Sequence, residues 1–427
     1  MVQNYVWYMP HARLKWPGLA AVVVSVVYVF NGDYQGVKLL DGRVVDLISA
    51  FLFKSGGNRN PAVLLANTNK SFIDSIVLGM GFTFDDSNSE ATSIAEMHRL
   101  IEQNPKNQER IFPYIGGEEV NSSPTHAHDR YVINFGEISE AETQEYLDLY
   151  AIVKEKVFPE RKNKPGSYSC QWWLFGRRNQ EGNKAITPLE RVLAISRISN
   201  AYGFTFLPKG MVYNEKIVIF AFQSNRAFCL LQSRMHEIWT RFFSSTLKDD
   251  LQYTPSNCFE TFPFPENWEI NPTLEAIGKE YYEYRAALMV RNNQGLTDTY
   301  NRFHDPDEYD PEILKLRELH TAMDKAVLDA YGWSDIPTDC DFILDYEEEE
   351  DTENSSGRQK KKPWRYRWRE EIHDEVLARL LDLNQQRAEA EILGGKAADK
   401  SERKGGQTKR KRKNENERVT IPGMKVD

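Results

Sequence analysis

The sequence predicts an α+β protein built in pieces: a fragment of an α/β sheet, a mixed α+β domain and a set of C-terminal helices. Three observations predict it. A β-branched run, Val22 to Phe30, lies near the N-terminus and reads as a buried strand. The middle of the chain interleaves short apolar runs with amphipathic stretches. Beyond residue 270, apolar residues recur at helical spacing over two long stretches.

The chain has 427 residues, enough for two or three cores. Hydrophobic residues make up 41%, so most of it is expected to fold. The net charge of -9 argues against a nucleic-acid partner for the chain as a whole. The acid is uneven, however. The block Asp345 to Glu353 carries much of the excess, so a basic patch elsewhere remains able to meet a polyanion. Cys170, Cys229, Cys258 and Cys340 lie far apart, without a CxxC pair or a zinc-like spacing, and are expected as free thiols in a reducing cytoplasm. No secretory signal pattern opens the chain. The apolar run Ala20 to Phe30 is too short to span a bilayer, so no membrane is expected.

Residues 1–60 carry the Val22 to Phe30 run, a turn at Asn31-Gly32-Asp33, a short extended piece before Gly42, and helical spacing from Val44 to Phe53. One or two strands and a helix cannot bury their own faces, so something must complete the sheet, either later in this chain or on another chain. Residues 61–268 read as the mixed domain. Helices are predicted at Thr92 to Gln103, at Ser139 to Val157 and at Phe228 to Trp239. The second opens with a capping box, Ser139 with Glu142. Strands are predicted at Ile111 to Ile115, Arg130 to Phe135, Val192 to Ser196 and Ile217 to Phe222, and Trp172 to Phe175 is an aromatic strand or turn. Residues 269–345 are helical, at Leu274 to Asn292 and Pro311 to Tyr331. A charged linker follows over 346–362, then a helix over 363–393 that opens on the alternating run Trp364 to Arg369. A basic tail, 394–427, ends the chain.

The stretch Met235 to Pro265 is the most informative. A helical start breaks at Ser244-Ser245-Thr246, a polar run with Lys248 and Tyr253 follows, and an aromatic, proline-punctuated segment closes it. Hydroxyls, a lysine and aromatics in one loop suit phosphates and bases; equally, the aromatics can pack the loop on itself. The basic and aromatic group Arg161, Lys162, Lys164, Trp172, Trp173, Arg177 and Arg178 forms a second candidate surface. His126 and His128 make an H-x-H pair beside Asp129, but no further ligand is near, so hydrogen bonding or phosphate contact is the simpler role. Leu78-Gly79-Met80-Gly81 is the single glycine turn available for a nucleotide-like cofactor. A lone GxG without a following helix is weak, and a turn inside the mixed domain accounts for it.

The wording of several segments goes further than their composition. Trp16 to Val22 with Lys38 to Gly42, Leu78 to Asp86, Arg110 to Asn121, Arg130 to Phe135, Pro159-Glu160-Arg161, Trp172-Trp173, Ser244 to Pro265 and Trp364 to Leu383 occur in order. Together they resemble the C-terminal, target-recognition half of large adenine-specific DNA methyltransferases: MmeI-like type IIG restriction–modification enzymes and related phage-defence methylases. The resemblance implies that residues 1–60 are closing strands of a class I methyltransferase domain and 61–268 a DNA target-recognition domain. It implies double-stranded DNA as partner and adenine N6 as the methylated atom. S-adenosylmethionine is implied as cofactor, held by a separately encoded catalytic half. The family's Asn-Pro-Pro-aromatic loop is absent: Asn60-Pro61, Asn104-Pro105 and Asn271-Pro272 each lack the second proline. No catalytic, cofactor-binding or metal residue is therefore assigned, and the chain alone is expected to be inactive. The expected DNA contacts are Asn121, Arg130, Arg161, Lys162, Trp172, Trp173, Arg177, Arg178, Arg191, Arg197, Ser245, Lys248 and Tyr253. A stand-alone DNA-binding protein without a catalytic partner is the alternative.

Overall fold

The computed structural model describes residues 5–15, 23–32, 34–247, 250–344 and 364–395. Two four-stranded sheets organise the middle of the chain. The first runs Phe204–Pro208, Arg191–Ser196, Ile217–Phe220, Ser71–Ile73, every neighbour antiparallel. Val192 to Ser196 and Ile217 to Phe220 are buried at every position, as a run of branched and aromatic residues between two covered faces requires. The second sheet runs Val212–Tyr213, Ile111–Ile115, Arg130–Ile133, Thr83–Phe84. Its outermost pair is parallel, Val212 opposite Tyr114, so a segment leaving the first sheet closes the edge of the second.

Each sheet has its own core. The second is packed by the helices Ile94–Gln103 and Leu147–Lys156, with Met97, Leu100, Leu149 and Val153 turned inward. The predicted capping box forms at the start of Glu140–Thr143, where Ser139 Oγ accepts from Glu142 N and Glu142 accepts from Ser139 N. The first sheet is packed by Asn225–Gln232 and Arg234–Phe243, which break at Ser233 where a single helix was predicted. Ser233 has extended dihedrals, and its hydroxyl donates back to Leu230 O at 2.7 Å.

The helices Pro272–Asn292 and Pro311–Ala330 lie against the first core. Buried residues on both sides of position 268, from Phe262 to Leu274, belong to one cluster, and so do Trp368 and Leu380. The run Trp364–Trp368 is a strand, not a helix start. It pairs with Cys340–Leu344, and the helix Glu370–Leu393 begins after it. That last helix returns to the beginning of the mixed domain. Asn384 donates to Ala62 O and Thr261 O and accepts from Ala62 N, and Glu391 accepts from Leu65 N and Ala66 N.

The N-terminal segment differs from its prediction. The valine-rich run divides into Val23–Val26 and Val29–Asn31, each pairing antiparallel with an earlier strand. Val26, Tyr28, Val29 and Phe30 are exposed. No helix forms over 44–53. Ser49 Oγ accepts from Phe51 N and Phe53 N, Leu52 takes φ 61°, and Phe51 and Phe53 pack on Phe242 and Phe243. The aromatic anchors and the serine turn outweigh helical spacing there.

Candidate nucleic-acid interface

The chain crosses between the two sheets at two adjacent strands of backbone. One is Ile73 to Val77, the other Phe175 to Asn179; Ile76 and Arg177 exchange both backbone hydrogen bonds, at 3.0 and 3.2 Å. A cleft opens on either side of this crossing. One side, of about 330 Å³, is lined by Ser71, Ile73, Arg177, Arg178 and Asn179, and on the facing wall by Thr254, Ser256 and Glu260. The other, of about 410 Å³, is lined by Ser75, Asn134, Glu137, Gln180, Asn183 and Lys184, again with Arg178. Arg178 stands between the two. Hydroxyls, amides and cations in a concave surface are the groups that hold phosphates and read base edges.

The cations are fixed from below. Arg177 is exposed, yet one terminal nitrogen donates to Asp74 O at 2.8 Å and Ile73 O at 3.3 Å. Arg178 pairs with Glu137 at 3.1 Å and reaches Gln171 Oε1. Asn179 caps the helix Gln180–Ile186 by accepting from Gly182 N at 3.0 Å. Under the floor lies Asp74, 2% exposed, accepting from Tyr213 N. Burial pushes its carboxyl up to about 6, against the pull of Asn179, two backbone donors and Arg177.

Of the thirteen predicted contacts, Arg177 and Arg178 come together in the cleft. Lys162 is exposed on the loop before Trp172. Four others are framework, which corrects the sequence reading. Arg161 is 2% exposed and donates to the carbonyls of Trp172, Leu174, Val77 and Leu78. Trp172 and Trp173 lie in the second core, Trp173 donating to Ile138 O. Tyr253 lies in the first, its hydroxyl 2.9 Å from His236 Nε2. Side chains this buried cannot reach a groove.

The remainder are apart from the cleft lining. Arg130 pairs with Glu119 and lies over Tyr114. Arg191 stacks 3.6 Å above Phe206 and donates to Gln223 O and Asn225. Asn121 is half-buried on the helix Gly117–Ser122, its backbone against Gly295. Arg197 is half-buried, its backbone bonded to Lys216 and Tyr253. Ser245 lies in the strand Ser245–Leu247, and Lys248 falls outside the described residues. The stretch Met235 to Pro265 still reaches the cleft, through Thr254, Pro255 and Ser256 in place of the residues predicted. Sequence reading missed Asn179, Gln180 and Asn183; their signal was the amide-rich continuation of Arg177-Arg178.

The other two candidates resolve locally. His126 Nδ1 lies 2.8 Å from Val120 O, and burial pushes its imidazole down to about 4, so it serves as a neutral hydrogen-bond donor. Gly79 and Gly81 do not fit a cofactor turn. Gly81 lies flat against Lys156 and Val157, where any side chain would overlap the helix, and Gly79 takes φ 125°. The turn packs against the end of the helix Leu147–Lys156.

Residues 59–266 match the family model of the MmeI target recognition domain. This segment is similar to that target recognition domain. Its limits enclose both sheets and the whole cleft. The DNA-bound structure of MmeI, a type IIL restriction–modification enzyme, superposes on 90% of this chain with a TM-score of 0.53 at 18% identity, and the superposition covers 46% of the MmeI chain. The α+β fold is therefore shared beyond the recognition domain. DNA methyltransferase A of Bacillus subtilis (strain 168) is 24% identical over 339 residues, 75% of this chain. The chain spans 35% of that relative's length. Among the described residues no helix is long and apolar enough to cross a membrane.

Proposed function

We propose that this chain is the DNA target-recognition half of an adenine-specific (N6) methyltransferase of a restriction–modification or phage-defence system. The observation that carries the reading is the match of residues 59–266 to a target recognition domain whose two sheets enclose a cleft lined by Arg177, Arg178 and a row of amides. In it, duplex DNA lies along the cleft. Arg177 and Arg178 neutralise phosphates or engage guanine edges, while Asn134, Asn179 and Asn183 supply amide donors and acceptors for bases.

Methyl transfer belongs to a separate catalytic half that holds S-adenosylmethionine, since the glycine turn of this chain is filled by its own helix. Residues 1–60 supply the surface for that half as closing strands of its sheet. Their exposed Val26, Val29, Phe30 and Val44 support this, being apolar groups on two-stranded pairs too small to be stable alone.

The test is transfer of labelled methyl from S-adenosylmethionine to mixed-sequence DNA. It is run with this chain alone and with the product of the reading frame immediately upstream. Activity only in the mixture is expected. Activity from this chain alone would refute the division of labour. Silence in both, with DNA binding retained, would favour a stand-alone DNA-binding protein.

A further inference from the structure

Leu78 is the feature that neither core nor cleft lining explains. It is a leucine with φ 50°, in the left-handed region that bulky side chains avoid, and 44% of it is exposed. A solvent-facing position in such a backbone favours glycine or asparagine. Leu78 is held there by an unusual device. Arg161 is buried and spends its guanidinium hydrogen bonds on four carbonyls: Val77 and Leu78 on one side, Trp172 and Leu174 on the other; Glu160 acts on it through space. Phe82 lies under the same guanidinium. Burying a charge is costly, and here it pins the peptide that presents Leu78.

The position of the side chain is informative. Leu78 rests on Gly176, together with the ring of Tyr168, and any side chain at 176 would displace it. The next residues, Arg177 and Arg178, line the cleft. Lys162 and Lys164 are exposed on the loop that carries Tyr168, and Glu160 is the nearby acid, close to Gly79. An exposed apolar side chain resting on the residue next to Arg177 of the cleft, on a backbone held by a buried guanidinium, matches what is needed to enter a stack of bases.

We propose that Leu78 is an apolar wedge that enters one base step of the duplex docked in the cleft and unstacks it. This rests on the DNA reading above and adds to it a mechanical role: a kinked or opened step lowers the cost of extruding a neighbouring base. Contact with phosphate holds the duplex while the leucine replaces a stacking partner.

The experiment first selects duplexes from a random-sequence pool by binding to the full chain. It then places 2-aminopurine at each step of the selected site in turn. Fluorescence is read at saturating protein, so that affinity does not enter. The expected result is a several-fold brightening confined to one or two adjacent steps, of the size unstacking gives. Leu78→Asn, which suits the left-handed backbone and so preserves the fold, should abolish it; Leu78→Met should retain it. Brightening by Leu78→Asn equal to wild type, or none at any step with wild type bound, would overturn the wedge while leaving the DNA reading intact. Failure to enrich any duplex would remove the DNA reading and the wedge with it.

Discussion

At the scale of single residues, the cleft depends on what lies beneath its cations. Asp74 is a buried carboxyl whose pKa in the folded chain is raised to about 6, from 3.8. The folded state therefore binds its proton more tightly than the unfolded state. The stabilisation is fully present below pH 3.8 and is lost as pH rises through about 6. The shift corresponds to about 3 kcal/mol of penalty on the charged form at neutral pH. Asp74→Asn should flatten this contribution, so that the urea midpoint of the variant gains on that of wild type between pH 4 and pH 7. Parallel pH profiles would contradict the assignment. The arginines above it predict a different readout. Replacing Arg177 and Arg178 by alanine should weaken DNA binding about 10- to 100-fold and lower the slope of log affinity against log salt by about 2, if each neutralises a phosphate.

At the scale of elements, the C-terminal helix acts as a clasp. Asn384 is 2% exposed and makes three hydrogen bonds, to both backbone groups of Ala62 and to Thr261 O. It thus joins the last described helix to the first residues of the recognition domain. Asn384→Ala leaves Thr261 O buried and unpaired, while the backbone of exposed Ala62 can turn to water, a loss of roughly 1–3 kcal/mol. Hydrogen exchange should then accelerate at residues 62–66 and 259–262, and little elsewhere. Uniform acceleration would mean that the helix is an ordinary part of the core.

Much of this scale was legible in the sequence. The capping box at Ser139, the strands at Ile111, Arg130, Val192 and Ile217 and the two long helices near the C-terminus follow from local pattern, whereas the short edge strands and Phe204–Pro208 do not. The helix predicted over 44–53 failed because tertiary aromatic packing, not spacing, holds Phe51 and Phe53. The site was legible only in part. Arg177 and Arg178 are adjacent in sequence and in the cleft, whereas Arg161, Trp172 and Tyr253 have the same composition but opposite burial. Composition does not say which way a side chain faces; Thr254, Ser256 and Asn183 reach the site only through the pairing of distant strands.

At the scale of the whole molecule, acid should act through histidines. His236 and His320 are buried and His304 is half-buried; desolvation pushes His236 down to about 3 and the other two well below the usual range, with nearby arginines adding to the effect on both. Each is neutral when folded and free to take a proton when unfolded. Their stabilisation is present above pH 6.5 and is lost as pH falls below it, by up to about 1.4 kcal/mol per pH unit for each. Three such groups outweigh Asp74, which works in the opposite sense. The melting temperature should therefore fall steadily from pH 6.5 to pH 4.5, and a flat profile would mean that these histidines are protonated in place.

The two sheets, each with its own core, meet at the Ile76–Arg177 backbone pair, and the cleft lies there within the matched residues 59–266. The proposed function has this chain read duplex DNA through the Arg177–Arg178 cleft. Selection of duplexes from a random-sequence pool, with wild type and with the variant carrying alanine at both positions, tests it most directly. Wild type should enrich a defined site, with binding that weakens steeply as salt rises, and the variant should enrich it poorly or not at all. Enrichment of the same site by both proteins, with the same salt dependence, would contradict the claim and move the DNA surface elsewhere on the chain.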